Sequence, residues 1–281
     1  MNGDDVRTDR HLGTMVHIVA ARQNRPNRPV EGCPFCPGGL EAPQEYVTHW
    51  FKNRWPALPG DRCEVVLYSP DHAASLAGLG ADGVRRVIDL WADRTTALRA
   101  DPGVDFVLVF ENRGASVGAT IDHPHCQIYA FDHVPARQRA LIDSGWQPEN
   151  DPGRRLLSSR GQWRAWVHDA PVHPVSVVLA PVERTPDLVS LDGGSRDALA
   201  HVLVDVLSRC DALFDADMPY MLWVNQAPAS EPLAWLHLEI VSPWRAAGVP
   251  RFIAAAEVAT GEYFNPVDPD DLADRLNALP R

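Results

Sequence analysis

Two parts of the chain repeat the same order of hydrophobic and polar positions. Each begins with an apolar run that ends at a proline and continues through a loop into a helical pattern, which is followed by another apolar run and a last segment that contains a histidine. In order, these segments are 63–70, 83–98, 106–110 and 123–128 in the first half, and 174–181, 196–214, 220–224 and 235–240 in the second. The nearly constant offset between matching segments indicates a repeat rather than chance similarity.

The repeat predicts an α+β fold built from two tandem units, each an antiparallel sheet with packed helices. The polar, proline-rich stretch 147–155 is the best place for a join, so we expect one unit at residues 1–148 and another at 149–281. The halves differ chemically, because Trp235 and Glu239 stand where the first half has His123 and Gln127. We therefore expect the chemistry in the first half, with the second half as structural support or a substrate wall.

Charge and composition limit the partners. The 281 residues carry a formal net charge of -11 without a block of lysines or arginines, which disfavours nucleic acid or an anionic membrane as a partner. No apolar run is long enough to cross a bilayer, and the acidic N-terminus lacks the features of a signal peptide. The five scattered cysteines argue against a disulfide framework. We expect a cytoplasmic protein.

The segment 112–129 carries the strongest chemical signal. It follows the apolar run 106–110 and places two glycines in a loop before His123, Pro124 and His125. If residues 123–129 are extended, the side chains of His123, His125 and Gln127 share one face, because side chains alternate along a strand. Two imidazoles and an amide beside a glycine-rich loop indicate a site for a histidine nucleophile that attacks phosphorus.

A second signal is the pair Cys33 and Cys36. Their two-residue gap lets both thiolates reach one zinc ion, and the surrounding prolines and glycines favour a tight knuckle. His72 and His123 are the candidates for the two further ligands that a closed tetrahedral site needs. Taken alone, the cysteine pair is also compatible with a redox pair or with two solvated thiols.

Six motifs resemble the galactose-1-phosphate uridylyltransferase family of the histidine-triad superfamily, and they follow the family's order over nearly the whole chain. They lie at residues 22–26, 33–38, 53–58, 69–72, 111–116 and 123–128. The resemblance implies two tandem histidine-triad-like repeats, of which the second is degenerate, and a homodimer. It also implies a nucleotide sugar and a sugar 1-phosphate as substrates.

The resemblance assigns roles to individual residues. It implies that His125 attacks the α-phosphorus of the nucleotide sugar and carries the nucleoside monophosphate, with UMP favoured, before a second sugar 1-phosphate collects it. Gln127 would hydrogen-bond the phosphate oxygens. The positions that match substrate contacts are Arg22, Arg25, Asn53, Trp55, Asn112, Gly118 and Thr120, and those that match a structural zinc site are Cys33, Cys36, His72 and His123.

Several positions depart from the family pattern. Trp235 and Asn225 occupy places where a second metal site has histidines in many members, so we predict that this second metal is absent. Ala256 and Tyr263 replace a tyrosine and a glutamine of the sugar-contacting segment, which leaves the identity of the sugar open. Two alternatives remain. One is a nucleotide-sugar phosphorylase or an adenylyltransferase with a different acceptor, and the other is a zinc-stabilised nucleotide-binding protein without turnover.

Overall fold

A computed structural model describes residues 5–24 and 32–279 of the chain as thirteen strands and five helices. The strands are β1 (Asp5–Thr8), β2 (Met15–Ile18), β3 (His49–Lys52), β4 (Cys63–Leu67), β5 (Phe106–Arg113), β6 (His125–Phe131), β7 (Leu156–Arg160), β8 (Trp163–Val167), β9 (Val175–Pro181), β10 (Tyr220–Asn225), β11 (His237–Ser242), β12 (Trp244–Ala246) and β13 (Val249–Pro250). The helices are α1 (Gly80–Arg99), α2 (Ala136–Asp143), α3 (Gly193–Phe214), α4 (Ala255–Thr260) and α5 (Pro269–Asn277).

Nine strands form one antiparallel sheet in the order β3-β4-β6-β5-β10-β11-β9-β8-β7. The pairing of β5 with β10 joins the two halves of the chain. Outward from this seam, β5, β6, β4 and β3 follow in one direction, and β10, β11, β9 and β8 follow in the other. The predicted α+β fold of two tandem antiparallel units is therefore confirmed, with β7 added at one edge. The boundary at residue 148 stays a prediction.

The long helices α1 and α3 pack against each other and cover one face of the sheet. In α1 the buried side chains recur at helical spacing, as Val84, Val87, Ile88 and Trp91 show. The helix α3 begins three residues before the sequence pattern predicted, because the Asp192 side chain accepts the N–H of Ser195 at 2.7 Å and caps it. Among the described helices, none combines the length and hydrophobicity that crossing a membrane requires.

The strand β6 separates the core beneath α1 and α3 from the opposite face of the sheet, where the short helix α2 packs against the second half. Its burial alternates strictly, with Cys126, Ile128 and Ala130 in the core and the residues between them only partly buried. The strand begins at His125, so His123 lies in a bend just before it and not on the strand as the sequence pattern suggested. Pro124 lies at this junction, and its carbonyl accepts the N–H of Tyr68 at 3.2 Å.

Beneath the seam, on the helix-covered side, lies the carboxyl group of Glu111. It is fully enclosed, and the hydroxyls of Tyr68 and Tyr220 donate to its two oxygens at 2.9 Å each. Burial raises the pKa of Glu111 to about 7, although the two phenol hydrogen bonds and Arg113 act in the opposite direction. This group links β10 of the second half to β5 and to the residue that follows β4.

We expect the stability of the protein to decrease as the pH rises through the range in which Glu111 ionises. Because the folded pKa of about 7 lies above the ordinary glutamate value of 4.5, the folded state binds more protons between these values, and stability falls with rising pH. Glu111→Gln should remove a decline on the order of 3 kcal/mol between pH 4.5 and 7, measured by urea unfolding. Glu45→Gln, at an exposed carboxyl, is the control. An equal pH dependence in Glu111→Gln and wild type would contradict this assignment.

Candidate active site and metal centre

A cavity of about 720 Å³ opens on the face of the sheet opposite α1 and α3, within the usual size of small-molecule sites, roughly 300–1,000 Å³. Its floor includes His125 and Gln127 of β6. One wall is the knuckle at residues 32–41, and another is the segment 53–55 that follows β3. The first half of the chain therefore supplies the whole described lining of this cavity.

His125 is held in one orientation by the backbone of its own chain. Its Nδ1 lies 2.7 Å from the carbonyl oxygen of His123. A carbonyl can only accept, so Nδ1 carries the proton in the neutral ring and Nε2 carries the lone pair. The ring of Phe35 packs against His125 edge-on at 5.1 Å between centroids, which limits rotation of the imidazole. The arrangement suits an imidazole nucleophile that reacts through Nε2.

Gln127 lies two residues further along the same face of β6. Its Oε1 accepts a hydrogen bond from Nδ2 of Asn53 at 3.1 Å and is approached by the hydroxyl of Tyr129 at 3.5 Å. Both contacts are made to the oxygen, so the amide nitrogen is the group that remains to donate to a substrate. A donor beside a histidine nucleophile can stabilise negative charge on phosphate oxygens.

Four predicted ligands converge beside the cavity. The ligand atoms of Cys33, Cys36, His72 and His123 all lie within 4.8 Å of one another. Sγ of Cys36 is 3.7 Å from Nδ1 of His72 and 3.6 Å from Nδ1 of His123. Tetrahedral zinc with ordinary Zn–S and Zn–N bonds places such atoms about 3.5 Å apart. The cluster can therefore hold a metal ion, and its two thiols and two imidazoles are a donor set typical of zinc.

Groups behind the cluster orient His123. Its Nε2 lies 2.8 Å from the carbonyl oxygen of Ser69 and 2.8 Å from the hydroxyl of Tyr46, while that hydroxyl donates to the carbonyl of Phe35 at 2.7 Å. Such partners fix the ring and leave Nδ1 directed at the metal position. Burial lowers the pKa of His123, which favours the neutral form that binds metals.

Three predicted substrate residues line the cavity together with His125 and Gln127. They are Asn53, Trp55 and Thr120. Asn112 is not part of the lining, but it shares a face of β5 with Phe110, whose partner across the ladder is Gln127. It therefore lies on the side of the sheet opposite α1 and α3, near the same end of β6.

The remaining predicted contacts are placed less directly. Gly118 has φ of 93° and ends the single turn Ala115–Val117, and its N–H donates to the Ala115 carbonyl at 3.1 Å. In this structure that amide closes a turn rather than facing the cavity. Arg22 lies in the short turn Ala20–Asn24 and is not among the lining residues, and Arg25 lies outside the described residues.

Sequence reasoning missed three residues of the site. Phe35 packs on His125, Tyr46 braces His123, and Arg54 brings a positive charge to the cavity, where it pairs with Glu41 at 2.7 Å. The motifs around 33–36 and 53–55 contain Phe35 and Arg54, so both were open to inference from the sequence. Nothing in the local pattern around Tyr46 indicates its contact, because His123 is 77 residues away.

The second half repeats the contact between a histidine ring and the backbone carbonyl two residues before it, but the imidazole there is buried. Nδ1 of His237 faces the carbonyl of Trp235 at 3.2 Å, as His125 faces His123. Its Nε2 lies 2.9 Å from Nδ2 of Asn225, and the ring of Trp146 stacks on it at 3.7 Å. These neighbours enclose the imidazole. The absence of a metal here stays a prediction.

Glu239 occupies the place that Gln127 has in the first half. Burial alone would raise its pKa, but His237 and Arg137 together lower the pKa to about 2. Its Oε1 also accepts hydrogen bonds from Asn225 at 3.0 Å and Trp223 at 3.2 Å. A carboxylate with this many donors remains ionised and would repel a phosphate. The position is therefore suited to holding the second half together.

Comparisons with known proteins identify a matching family model and similar chains. The family model described as galactose-1-phosphate uridyl transferase, N-terminal domain, matches residues 55–135. A galactose-1-phosphate uridylyltransferase of Thermotoga maritima is 33% identical over 93% of this chain and 94% of the relative. One of Streptomyces lividans is 36% identical over 80% of this chain and 70% of the relative. A solved structure of a uridylyltransferase has the same fold, with a TM-score of 0.86, 24% identity and 97% coverage of each chain.

The metal cluster predicts the outcome of removing one thiolate. Cys36→Ala should abolish binding of the single metal ion and lower the melting temperature, because three ligands hold zinc more weakly and the knuckle loses its anchor. Metal content by elemental analysis and thermal unfolding measure both effects. Cys210→Ala, which removes a buried cysteine of α3, should leave the metal in place. Full metal content in Cys36→Ala would exclude this site.

Loss of the contact between Tyr46 and His123 should weaken metal binding less than loss of a ligand does. Tyr46→Phe keeps the ring but removes the hydroxyl beside Nε2 of His123. We expect metal affinity to fall by about 10- to 100-fold, the usual effect of losing a group that orients a ligand. Competition with a chromophoric chelator measures the affinity. An affinity equal to that of wild type would show that the Ser69 carbonyl orients His123 alone.

Proposed function

Because the chain belongs to the galactose-1-phosphate uridylyltransferase family, we propose that it transfers a nucleoside monophosphate between hexose 1-phosphates through a covalent nucleotidyl-His125. UMP is the favoured nucleotide. The observation that carries the proposal is the contact of Nδ1 of His125 with the His123 carbonyl at 2.7 Å, on a residue that lines the 720 Å³ cavity. This contact leaves Nε2 as the nucleophilic atom.

The reaction has two displacements. In the first, Nε2 of His125 attacks the α-phosphorus of a nucleotide sugar, a N–P bond forms, and the P–O bond to the sugar 1-phosphate breaks. In the second, an oxygen of another sugar 1-phosphate attacks the same phosphorus and the N–P bond breaks. No proton has to leave His125, because the positive charge of the phosphorylated ring is stabilised by the Nδ1–H contact with a carbonyl dipole.

Gln127 supports both displacements. Its oxygen is engaged by Asn53, so its N–H groups are available to donate to the phosphate oxygens while His125 reacts. Such a donor contributes about 100- to 1,000-fold in rate when it is aimed at developing charge. An amide is neutral, so it does not compete with the histidine for protons.

Zinc would be held by Cys33, Cys36, His72 and His123 and would act structurally. His123 provides both an imidazole for the cluster and the backbone carbonyl that orients His125. The wall formed by the knuckle is thereby tied to the nucleophile. Support for this role comes from Phe35, which lies between the two cysteines and packs on His125.

Assembly and location belong to the same proposal. We propose a homodimer in the cytoplasm, with the chain divided into units at residues 1–148 and 149–281. Exposed apolar side chains on the segment that contains α4, including Phe252, Val258 and Phe264, support an interface there. The net charge of -11 supports the proposal that neither nucleic acid nor a membrane is a partner.

The acceptor sugar is the less constrained part of the proposal. Glu257, which follows Ala256 in the segment that resembles the family's sugar-contacting one, is buried and accepts the N–H groups of Ala254 at 2.8 Å and Phe264 at 2.9 Å. It also pairs with Arg251. Because this carboxylate is engaged within the chain, an acceptor other than galactose 1-phosphate, including inorganic phosphate, is the second candidate reaction.

The proposal predicts a covalent adduct on one histidine. Wild-type protein incubated with UDP- and ADP-sugars should gain the mass of one nucleoside monophosphate, and His125→Ala should gain none. His237→Ala, at the matching position of the second half, should still form the adduct. Intact-protein mass spectrometry measures all three, with circular dichroism as a check of folding. No adduct on wild type with any donor would support a binding protein without turnover.

The acceptor is identified by a second step on the same material. Isolated adduct is mixed with galactose 1-phosphate, glucose 1-phosphate or inorganic phosphate, and the loss of the added mass is followed in time. Fast release by a sugar 1-phosphate supports the transferase, whereas fast release by phosphate alone supports the phosphorylase.

A further inference from the structure

We infer that Asn53 is a positioning residue that acts through Gln127, in addition to lining the nucleotide cavity. Asn53 sets which end of the Gln127 amide faces the phosphate. The inference rests on the proposed function, because it concerns the donor that the proposed reaction uses. It differs from the substrate contact that the sequence resemblance implies for Asn53.

The orientation of Asn53 follows from a backbone donor. The N–H of Trp55 lies 2.9 Å from Oδ1 of Asn53, and a backbone N–H can only donate. The atom of Asn53 that accepts this bond must be its oxygen, so its nitrogen points away, towards Gln127. The backbone of Asn53 is itself anchored, because its N–H donates to the Cys63 carbonyl in β4 at 2.8 Å.

The orientation of Gln127 follows from that of Asn53. Nδ2 of Asn53 donates to Oε1 of Gln127 at 3.1 Å, and the Tyr129 hydroxyl lies 3.5 Å from the same oxygen. The polarity therefore runs in one direction, from the Trp55 backbone through Asn53 to Gln127. At the end of this series of hydrogen bonds, the nitrogen of Gln127 is the atom that lies beside His125.

This direction matters because an amide has nearly the same shape when its oxygen and nitrogen are exchanged. Hydrogen bonds, and not packing, decide between the two orientations. In the wrong orientation Oε1 would face the anionic phosphate and repel the charge that develops on its oxygens. Asn53 excludes that orientation, because its N–H would then meet the N–H groups of Gln127.

The test separates a positioning role from a nucleotide contact by single-turnover kinetics. The rate of adduct formation on His125 at saturating nucleotide sugar and the dissociation constant of the donor are measured for wild type, Asn53→Ala, Gln127→Ala and the double variant. Asn53→Ala should slow adduct formation by about 10- to 100-fold, with less than about a threefold change in donor affinity. Asn150→Ala, at an exposed asparagine outside the cavity, is the matched control.

The double variant gives the decisive comparison. If Asn53 acts through Gln127, the double variant is no slower than Gln127→Ala alone, because the group that Asn53 orients is already missing. Asn53→Asp keeps the contact with Trp55 but replaces the donor with an acceptor, so it should be slower than Asn53→Ala at saturation. Additive losses in the double variant, or weaker donor binding at an unchanged rate, would overturn the inference.

A structural readout keeps this test independent of turnover. The side-chain N–H₂ resonances of Gln127 are assigned by their loss in Gln127→Ala, and they should shift or broaden in Asn53→Ala. Unchanged resonances would overturn the positioning role. If wild type forms no adduct but these resonances respond to Asn53→Ala, the proposed function fails while the contact between the two amides stands.

Discussion

The site depends on the alternation of side chains along one strand, β6. Cys126 and Ile128 enter the core beneath α1, and this forces His125 and Gln127 to the face that no long helix covers. The neighbouring strands hold this register, since β6 pairs with β4 on one side and β5 on the other. A shift by one residue would bury the histidine and the amide and expose the apolar set, so the fold strongly opposes it.

His123 couples the cysteine–histidine cluster to His125, the proposed nucleophile, within two residues of chain. Its imidazole joins the cluster through Nδ1, 3.6 Å from Sγ of Cys36, while its carbonyl accepts a hydrogen bond from Nδ1–H of His125 at 2.7 Å. A movement of the knuckle would therefore be transmitted to the imidazole of His125. Pro124 lies between the two histidines and marks the change from the bend to the strand, which allows their side chains to take different directions.

The two halves place a histidine in the same backbone arrangement, but the side chains around each histidine differ. His125 and His237 both begin a strand next to the seam strands, and both direct Nδ1 at the carbonyl two residues before them. His125 opens onto the 720 Å³ cavity, but His237 is almost fully buried under Trp146 and beside Asn225, at the edge of a much smaller cavity. The difference lies in the surrounding side chains, because the strand geometry is the same.

The sequence by itself determined the repeat, the main strands and helices, the four residues of the cysteine–histidine cluster and several residues that line the cavity. Apolar periodicity indicates which residues are buried. The motifs around Cys33, His72 and His125 lie within short segments, so they can be recognised in the sequence alone. Only the tertiary structure decided that Asn53 contacts Gln127, that Tyr46 braces His123, and that the amide of Gly118 closes a turn. Residues far apart in the chain become neighbours only through sheet pairing, and the direction of a hydrogen bond depends on which donor meets which acceptor.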